Sequence, residues 1–142
     1  MQNALVFKKR YVLLAILLLT VCFVAYRLTN FSPVGQLVIN KVKVTNLVNL
    51  YITEVNGGAT TAFSYRFYLF DASKSDEAFS ESLNGESHPF LITSDRNALK
   101  KVEDNTIYIS VRGEVYSFYS SPGVEKNGFI YSVPIHLTAK PF

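Results

Sequence analysis

Hydrophobic and polar residues alternate along three stretches of the chain. Odd-numbered positions hold apolar or aromatic residues over 63–69, 107–111 and 129–137, with mostly polar residues between them. A period of two is typical of a β-strand with one buried face. We therefore predict three strands, whose core-facing residues are Phe63, Tyr65, Phe67 and Leu69, then Ile107, Ile109 and Val111, and finally Phe129, Tyr131, Val133, Ile135 and Leu137.

Two further strands are predicted earlier in the chain, over 37–45 and 47–55, where β-branched residues are frequent. Asn56, Gly57 and Gly58 favour a hairpin that returns into the strand at 63–69, because asparagine and glycine accept the positive φ of tight turns.

Other turn signals extend this pattern. Residues 112–114 predict a hairpin between 107–111 and 115–118, and Asn-Gly pairs at 84–85 and 127–128 predict further reversals. Pro134 lacks a ladder N–H and predicts an edge strand or a bulge. Residues 73–83 and 94–101 lose the alternation, so each is expected to hold one helical turn or a loop.

These elements predict a mainly β protein: a single antiparallel β-rich domain, of sandwich or half-barrel type, preceded by one N-terminal transmembrane helix. The helix is indicated by sixteen uncharged residues, 11–26, ten of them Leu, Ile, Val or Phe, directly after Lys8, Lys9 and Arg10. At about 1.5 Å per residue they make roughly 24 Å of helix, against a hydrocarbon core of about 30 Å.

Basic residues set the predicted orientation of this helix. Three precede the run and only Arg27 closely follows it, so the positive-inside rule places the N-terminus in the cytoplasm. The predicted organisation is a basic cytoplasmic segment (1–10), a transmembrane signal anchor (11–28), a linker (29–36) and an extracytoplasmic β-rich domain (37–142) in the bacterial inner membrane. A cleaved signal peptide and lipidation of Cys22 are the alternatives.

Charge and cysteine content narrow the function of the domain. Residues 31–142 carry ten basic and eleven acidic side chains, so the basic excess of the chain belongs to the N-terminal segment. Nucleic-acid binding is therefore not expected. Cys22 is the only cysteine, and the domain must be stabilised by packing without a disulfide.

The run Asn-Gly-Gly-Ala-Thr-Thr at 56–61, followed by Phe63, Tyr65 and Arg66, resembles small bacterial membrane-anchored proteins grouped as domains of unknown function. Those proteins share a short N-terminal hydrophobic segment and a later Asp-Asn-Thr turn, which reads Asp104-Asn105-Thr106 here. The resemblance covers roughly 50–118. It implies a β domain facing the bacterial envelope, and it implies no activity.

Signatures of chemistry are sparse. His88 and His136 stand apart from any carboxylate or cysteine cluster at metal-ligand spacing, and no Gly-x-Ser-x-Gly elbow is present. Adjacent carboxylates occur at 76–77 and 103–104, where solvated loop charges are the ordinary explanation. We expect no enzyme activity, metal or cofactor, with a hydrolase as the residual alternative.

Residues 56–61 are a candidate functional turn. Gly57 and Gly58 expose backbone amides, and Thr60 and Thr61 offer hydroxyls beside Asn56. Binding of an anion or a partner backbone is one interpretation, and an ordinary structural turn is the other.

Aromatic side chains suggest a binding surface. They exceed what one buried face of a small sheet absorbs, so some must lie on the opposite face. The residues predicted to bind a partner there are Tyr68, Phe70, Tyr108, Tyr116 and Phe118. The alternative is that residues 73–101 cover this face. The expected function is a non-catalytic interaction or accessory module with a protein partner in the envelope; the alternative is a membrane-tethered inhibitor or immunity-type protein against an envelope-active enzyme or toxin.

Overall fold

The structure is a computed structural model that describes residues 2–29, 35–58 and 61–140 of the chain. The chain divides into two compact units, Met1–Pro33 and Val34–Phe142, and each is described by itself. Most of the predicted linker, 29–36, lies outside the described residues.

The first unit contains one helix, α1 (Gln2–Thr29). Its side chains from Tyr11 to Tyr26 are exposed. Thr20 donates its hydroxyl to the carbonyl of Ile16 at 2.8 Å, so the helix backbone satisfies this polar group. Among the residues that the structure describes, no helix combines the length and the apolar character needed to cross a membrane.

The described regular structure of the second unit is ten strands and one short helix. In chain order its described elements are β1 (Gln36–Lys43), β2 (Val48–Val55), β3 (Ser64–Asp71), α2 (Asp76–Ser82), β4 (Leu91–Thr93), β5 (Leu99–Glu103), β6 (Thr106–Val111), β7 (Val115–Phe118), β8 (Gly123–Lys126), β9 (Phe129–Ser132) and β10 (Ile135–Ala139).

These strands form two sheets and a hairpin. Sheet A has the order β1-β2-β3-β4-β7 and is antiparallel throughout. Sheet B has the order β10-β6-β5; β5 is antiparallel to β6, and β10 is parallel to it. Among the described strands, β8 and β9 pair with each other alone, in an antiparallel hairpin. The prediction of a mainly β protein with antiparallel sheets is confirmed.

Sheets A and B share one hydrophobic core. Leu50 and Ile52 of β2, Phe67 of β3, and Ile107 and Ile109 of β6 belong to a single buried cluster and are at most 2% exposed. Because residues of both sheets belong to this one cluster, the two sheets pack against each other across it. The second unit is therefore a sandwich of two unequal sheets.

A second layer covers part of the outer face of sheet A. Ser75 caps α2 by accepting a hydrogen bond from the Ala78 N–H at 3.2 Å. Phe79 of α2 is fully buried, and its ring stacks on Tyr51 with a centroid distance of 4.0 Å. Asp76, the first residue of α2, accepts hydrogen bonds from the Tyr51 hydroxyl and the Lys41 ammonium, both at 2.6 Å.

The alternation predicts the core well in the middle of the strands. Tyr65, Phe67, Ile107, Ile109 and Val111 are all buried, as predicted. Two other residues of the predicted core faces, Phe63 and Phe129, are 47% and 67% exposed, so that prediction is wrong for them. Phe63 directly precedes β3, and Phe129 is the first residue of β9. Both lie at strand ends, where alternation is a weaker guide to burial.

The predicted hairpin between 107–111 and 115–118 is wrong, because β6 lies in sheet B and β7 in sheet A. After β6, residues 112–114 are hydrogen-bonded to residues 94 and 95, which precede β5. The Ser94 N–H donates to the Glu114 carbonyl at 3.0 Å, and the Glu114 N–H donates to the Ser94 hydroxyl at 2.9 Å. Asp95 accepts from the Arg112 N–H at 2.8 Å. These bonds direct β7 onto β4.

The long strand predicted over 129–137 is two strands. It breaks at Val133 and Pro134, so that β9 joins the hairpin and β10 forms an edge of sheet B. The Pro134 carbonyl accepts the Ile107 N–H at 3.0 Å. Pro134 is predicted to mark an edge strand or a bulge; it lies between two strands, and β10, which follows it, is an edge strand. Residues 94–101 hold a loop and the start of β5, and residues 73–83 contain α2.

Candidate functional site

Strand β7 carries a group of exposed apolar side chains at the free edge of sheet A. We call it the β7 patch; its members and their exposed fractions are Val115 (37%), Tyr116 (51%), Phe118 (37%) and Tyr119 (62%). Strand β1, at the other edge, carries Lys41 and Lys43. Lysine side chains on an edge strand disfavour pairing with a further strand. Strand β1 also exposes Leu37 (65%) and Val38 (38%), so the β7 patch is distinguished by its three aromatic rings.

Two features limit strand addition at β7. The strand is four residues long, and its pairing with β4 shifts register between Ile92 and Thr93. Short edge strands and bulges both disfavour pairing with a further strand. The β7 patch therefore offers side chains, more than backbone groups, to a partner.

Two tyrosines of the β7 patch form hydrogen bonds with neighbouring residues. A hydrogen bond to Glu114 raises the pKa of the Tyr116 hydroxyl above its usual value, with burial a smaller cause. Tyr119 donates its backbone N–H to the Phe90 carbonyl at 2.7 Å, which anchors the end of the patch to the chain before β4. Aromatic rings with a hydroxyl combine apolar area with hydrogen bonding and are frequent at protein interfaces.

A cleft of about 510 Å³ opens beside Tyr119. Its walls are residues 86–90, which follow α2, and residues 122–125 around the start of β8. Phe70 and Phe90 contribute rings to its lining. The volume lies within the range typical of ligand sites, about 300–1,000 Å³. Its charged lining is mixed, because it includes Asp71, Lys74, Glu86 and Glu125.

Asp71, which lines the cleft, joins the end of β3 to the β8–β9 hairpin. One carboxylate oxygen accepts the Ser73 N–H at 2.8 Å, the Ser73 hydroxyl at 2.7 Å and the Lys126 ammonium at 2.9 Å. The backbone hydrogen bond from Ser73, followed by the bonds from Lys126 and the Ser73 hydroxyl, lowers the pKa of Asp71 to about 2. This arrangement fixes the hairpin to β3.

The five residues predicted to bind a partner lie in three places. Tyr68 and Phe70 are buried beneath α2, where both rings contact Phe79. Tyr108 is half-buried on sheet B and stacks on His136 at a centroid distance of 5.1 Å. Tyr116 and Phe118 are exposed in the β7 patch. Residues 76–82 thus cover part of the face, which is the alternative weighed above. Partner binding by any of the five stays a prediction.

The described part of the predicted functional turn is internally bonded. The Asn56 carboxamide oxygen accepts the Gly58 N–H at 3.0 Å, and the Thr61 N–H donates to the Gly58 carbonyl at 3.2 Å. A Cβ on Gly57 would stand 2.7 Å from the Thr61 Cβ, so the turn requires glycine there. Thr60 lies outside the described residues. Ligand binding by this turn stays a prediction.

Other candidate groups are dispersed. His88 lines the cleft, whereas His136 is on sheet B. Asp76 contacts Lys41 and Tyr51, and Glu103 pairs with Lys101. Among the residues that the structure describes, no three His, Cys, Asp or Glu side chains are grouped as metal ligands.

Sequence reasoning missed seven exposed apolar side chains among the described residues of the second unit: Leu37, Val38, Phe63, Val115, Tyr119, Phe129 and Ile130. A signal for two of them was present. Asn127 and Gly128 both have positive φ, 53° and 77°, and an Asn-Gly pair of this kind places Phe129 and Ile130 directly beyond a two-residue hairpin turn.

Comparison of the chain with models of protein families, with curated proteins and with solved structures finds no match. The resemblance to small membrane-anchored bacterial proteins stays a prediction.

Proposed function

We propose that this protein is a single-pass, membrane-anchored binding module that holds a non-catalytic β domain outside the cytoplasm and engages a protein partner in the bacterial envelope. The observation that carries the proposal is the β7 patch, where four neighbouring apolar residues are exposed at one sheet edge. Exposed apolar surface of this kind is typical of interaction sites.

The anchor is supported by the sequence of α1. Within this helix, residues 11–26 are uncharged and their side chains are exposed. An isolated apolar helix with its whole circumference exposed is unfavourable in water and favourable in lipid, because the bilayer replaces the missing core. A span shorter than the hydrocarbon core is accommodated by local thinning of the bilayer.

Engagement of a protein is supported by the composition of the β7 patch. Tyr116 and Tyr119 each join a ring to a hydroxyl, and Phe118 adds an entirely apolar ring. Tyrosine and phenylalanine are enriched in the centres of protein interfaces. Neighbouring residues of a strand point to opposite faces, so these side chains surround the edge of sheet A. The complementary surface is a groove into which that edge fits.

In-cell photo-crosslinking tests the binding site. A photoreactive phenylalanine analogue at Tyr116 or Phe118 of the full-length protein is expected to give a discrete adduct with a partner. Leu37 is the matched control, because it is a large exposed apolar residue on β1, at the opposite edge of sheet A. Equal adducts from Leu37 and Tyr116 would contradict the proposal.

Loss of the aromatic rings tests the energetic role of the patch. Tyr116→Ala combined with Phe118→Ala is expected to reduce adduct formation, from a probe at Tyr119, by at least about tenfold, since ring truncation at an interface centre commonly costs 2 kcal/mol or more. Leu37→Ala should leave adduct formation unchanged. Adducts undiminished in the double variant would place the partner elsewhere.

Cysteine labelling tests the anchor and its orientation. In a Cys22→Ser background, Thr138→Cys is expected to react with a membrane-impermeant maleimide in intact spheroplasts, whereas Lys9→Cys is expected to react only after lysis. The opposite labelling pattern, or recovery of the protein in the soluble fraction, would overturn the proposed topology.

A further inference from the structure

The β8–β9 hairpin ends in two apolar side chains that are among the most exposed in the second unit. Phe129 is 67% exposed and Ile130 is 74% exposed, and both directly follow the turn at Asn127 and Gly128. Residues nearer the base of the hairpin behave differently, since Val124 and Tyr131 pack against the sandwich core. The base is therefore fixed and the tip projects into solvent.

The two tip residues lie on opposite faces of the hairpin. Phe129 pairs with Lys126 and Ile130 with Glu125, and adjacent residues of a strand point to opposite sides. A flat protein surface would cover one of these side chains and leave the other in water. Both are buried together when the tip enters a groove or a medium that surrounds it.

The chemistry of the tip matches the boundary of a lipid bilayer. Neither Phe129 nor Ile130 has a polar side-chain atom, in contrast to the tyrosines of the β7 patch. Lys126 is already bound to Asp71 and to the Ser73 hydroxyl, each at 2.9 Å, so its charge is directed away from the tip. The Glu125 side chain is exposed next to Ile130 and sets a limit on depth, because a carboxylate must stay among the headgroups or in water.

We infer that the tip of the β8–β9 hairpin, Asn127 to Ile130, inserts shallowly into the lipid bilayer and forms a second membrane contact of the protein. The inference rests on the proposed anchor, because a covalent tether keeps the hairpin at a high effective concentration beside the membrane. Insertion is hydrophobic in origin. It therefore takes place in zwitterionic lipid and changes little with salt, unlike the binding of a basic surface to anionic lipid.

Tryptophan fluorescence tests the inference directly, because the chain contains no tryptophan. The full-length Ile130→Trp protein is reconstituted into phosphatidylcholine vesicles with or without bromine on the acyl chains. We expect blue-shifted emission that brominated lipid quenches and that aqueous acrylamide quenches poorly. Ser132→Trp is the matched control; it lies on the same strand and face, exposed but two residues farther from the tip, and should stay accessible to acrylamide.

A second probe separates this inference from the proposed anchor. Leu18→Trp, in the middle of residues 11–26, should be quenched by brominated lipid if α1 spans the bilayer. Quenching at Leu18→Trp without quenching at Ile130→Trp would overturn hairpin insertion and leave the anchor standing. Quenching at Ile130→Trp alone would support insertion and contradict the anchor. Absence of quenching at both sites would overturn both.

Removal of the apolar tip tests its contribution. Phe129→Ser in the Ile130→Trp protein is expected to weaken partition of the tip into the bilayer by about 10- to 100-fold, the loss that corresponds to burying one large apolar side chain. The emission should then return to that of an aqueous tryptophan. Unchanged quenching in this variant, or quenching that requires anionic lipid, would contradict the hydrophobic insertion described here.

Discussion

Asp71 shows how one side chain can stabilise distant parts of the sandwich. Its carboxylate is buried at the end of β3 and accepts hydrogen bonds from residue 73, two positions later, and from Lys126, in a hairpin 55 residues away. A buried carboxylate needs such partners, because desolvation of an unpaired charge is strongly unfavourable.

Acid is expected to destabilise the fold through Asp71. Its pKa is about 2 in the folded state, below the ordinary value of 3.8, so the folded state binds this proton less readily than the unfolded state. The contribution, about 2 kcal/mol, is complete above about pH 5 and is lost as the pH falls toward about 2. Urea unfolding of the wild type and Asp71→Asn at several pH values measures it; an equal pH dependence in both proteins would contradict this role.

Gly113 is a second residue whose identity is set by its surroundings. A Cβ at this position would stand 2.4 Å from the Ser94 hydroxyl oxygen, within the contacts that direct β7 onto β4. Gly113→Ala is expected to destabilise the fold by about 1–3 kcal/mol through overpacking. Gly35→Ala is the control, because its Cβ would meet nothing within 4 Å. Thermal unfolding compares them, and similar melting temperatures would show that Ser94 moves aside freely.

At the scale of elements, the short helix α2 covers an aromatic cluster on the outer face of sheet A. Seven residues suffice to cover Tyr51, Tyr68 and Phe70, because Phe79 places one ring among all three. The ion pair of Asp76 with Lys41 is exposed and adds little by comparison. Aromatic packing is therefore the main attachment of α2 to the sheet.

Truncation of Phe79 should release this attachment. Phe79→Ala is expected to lower the free energy of unfolding by about 3–5 kcal/mol, the range for a buried aromatic residue. Ser80→Ala changes an exposed neighbour on the same helix and should have a small effect. Denaturant unfolding measures both variants. A loss below 1 kcal/mol for Phe79→Ala would show that α2 contributes little to the stability of the unit.

The strands with strong alternation were predictable from sequence, and the others were not. The odd-numbered positions identify the core faces of β3 and β6, because the residues there are consistently large and apolar. Strand β4 has only three residues, and β5 reads Leu-Lys-Lys-Val-Glu, in which the lysines hide the pattern. The turn at 112–114 predicts a local hairpin, and only the bonds to Ser94 and Asp95, made through tertiary structure, direct the chain elsewhere.

The candidate site was predictable only in part for a related reason. The sequence contains more aromatic side chains than one buried sheet face can hold. It does not indicate which of them a short helix will cover. Phe79 lies in a segment without long-range periodicity, so its position over Tyr68 and Phe70 had no local signal. Tyr116 and Phe118 differ from them only by lying on an edge strand beyond the reach of α2.

At the scale of the whole molecule, the described core of the β unit is independent of the helix. Both buried clusters are formed by residues 44–133, and all of these belong to the second unit. A domain with its own core can fold alone. Residues 34–142 expressed without α1 are expected to unfold cooperatively. Their near-ultraviolet circular dichroism spectrum should match that of the full chain in detergent. Loss of the near-ultraviolet signal would indicate that the helix is needed for folding.

Strand β10 has a consequence for synthesis of the protein. It is the last described strand of the chain, yet it pairs in parallel with β6, about 28 residues earlier, and covers one edge of sheet B. Until residues 135–139 are translated and delivered, β6 exposes an unpaired edge rich in isoleucine and valine, which is a template for aggregation. A nascent chain in which β6 has been made and residues 135–139 have not is therefore the species most exposed to aggregation.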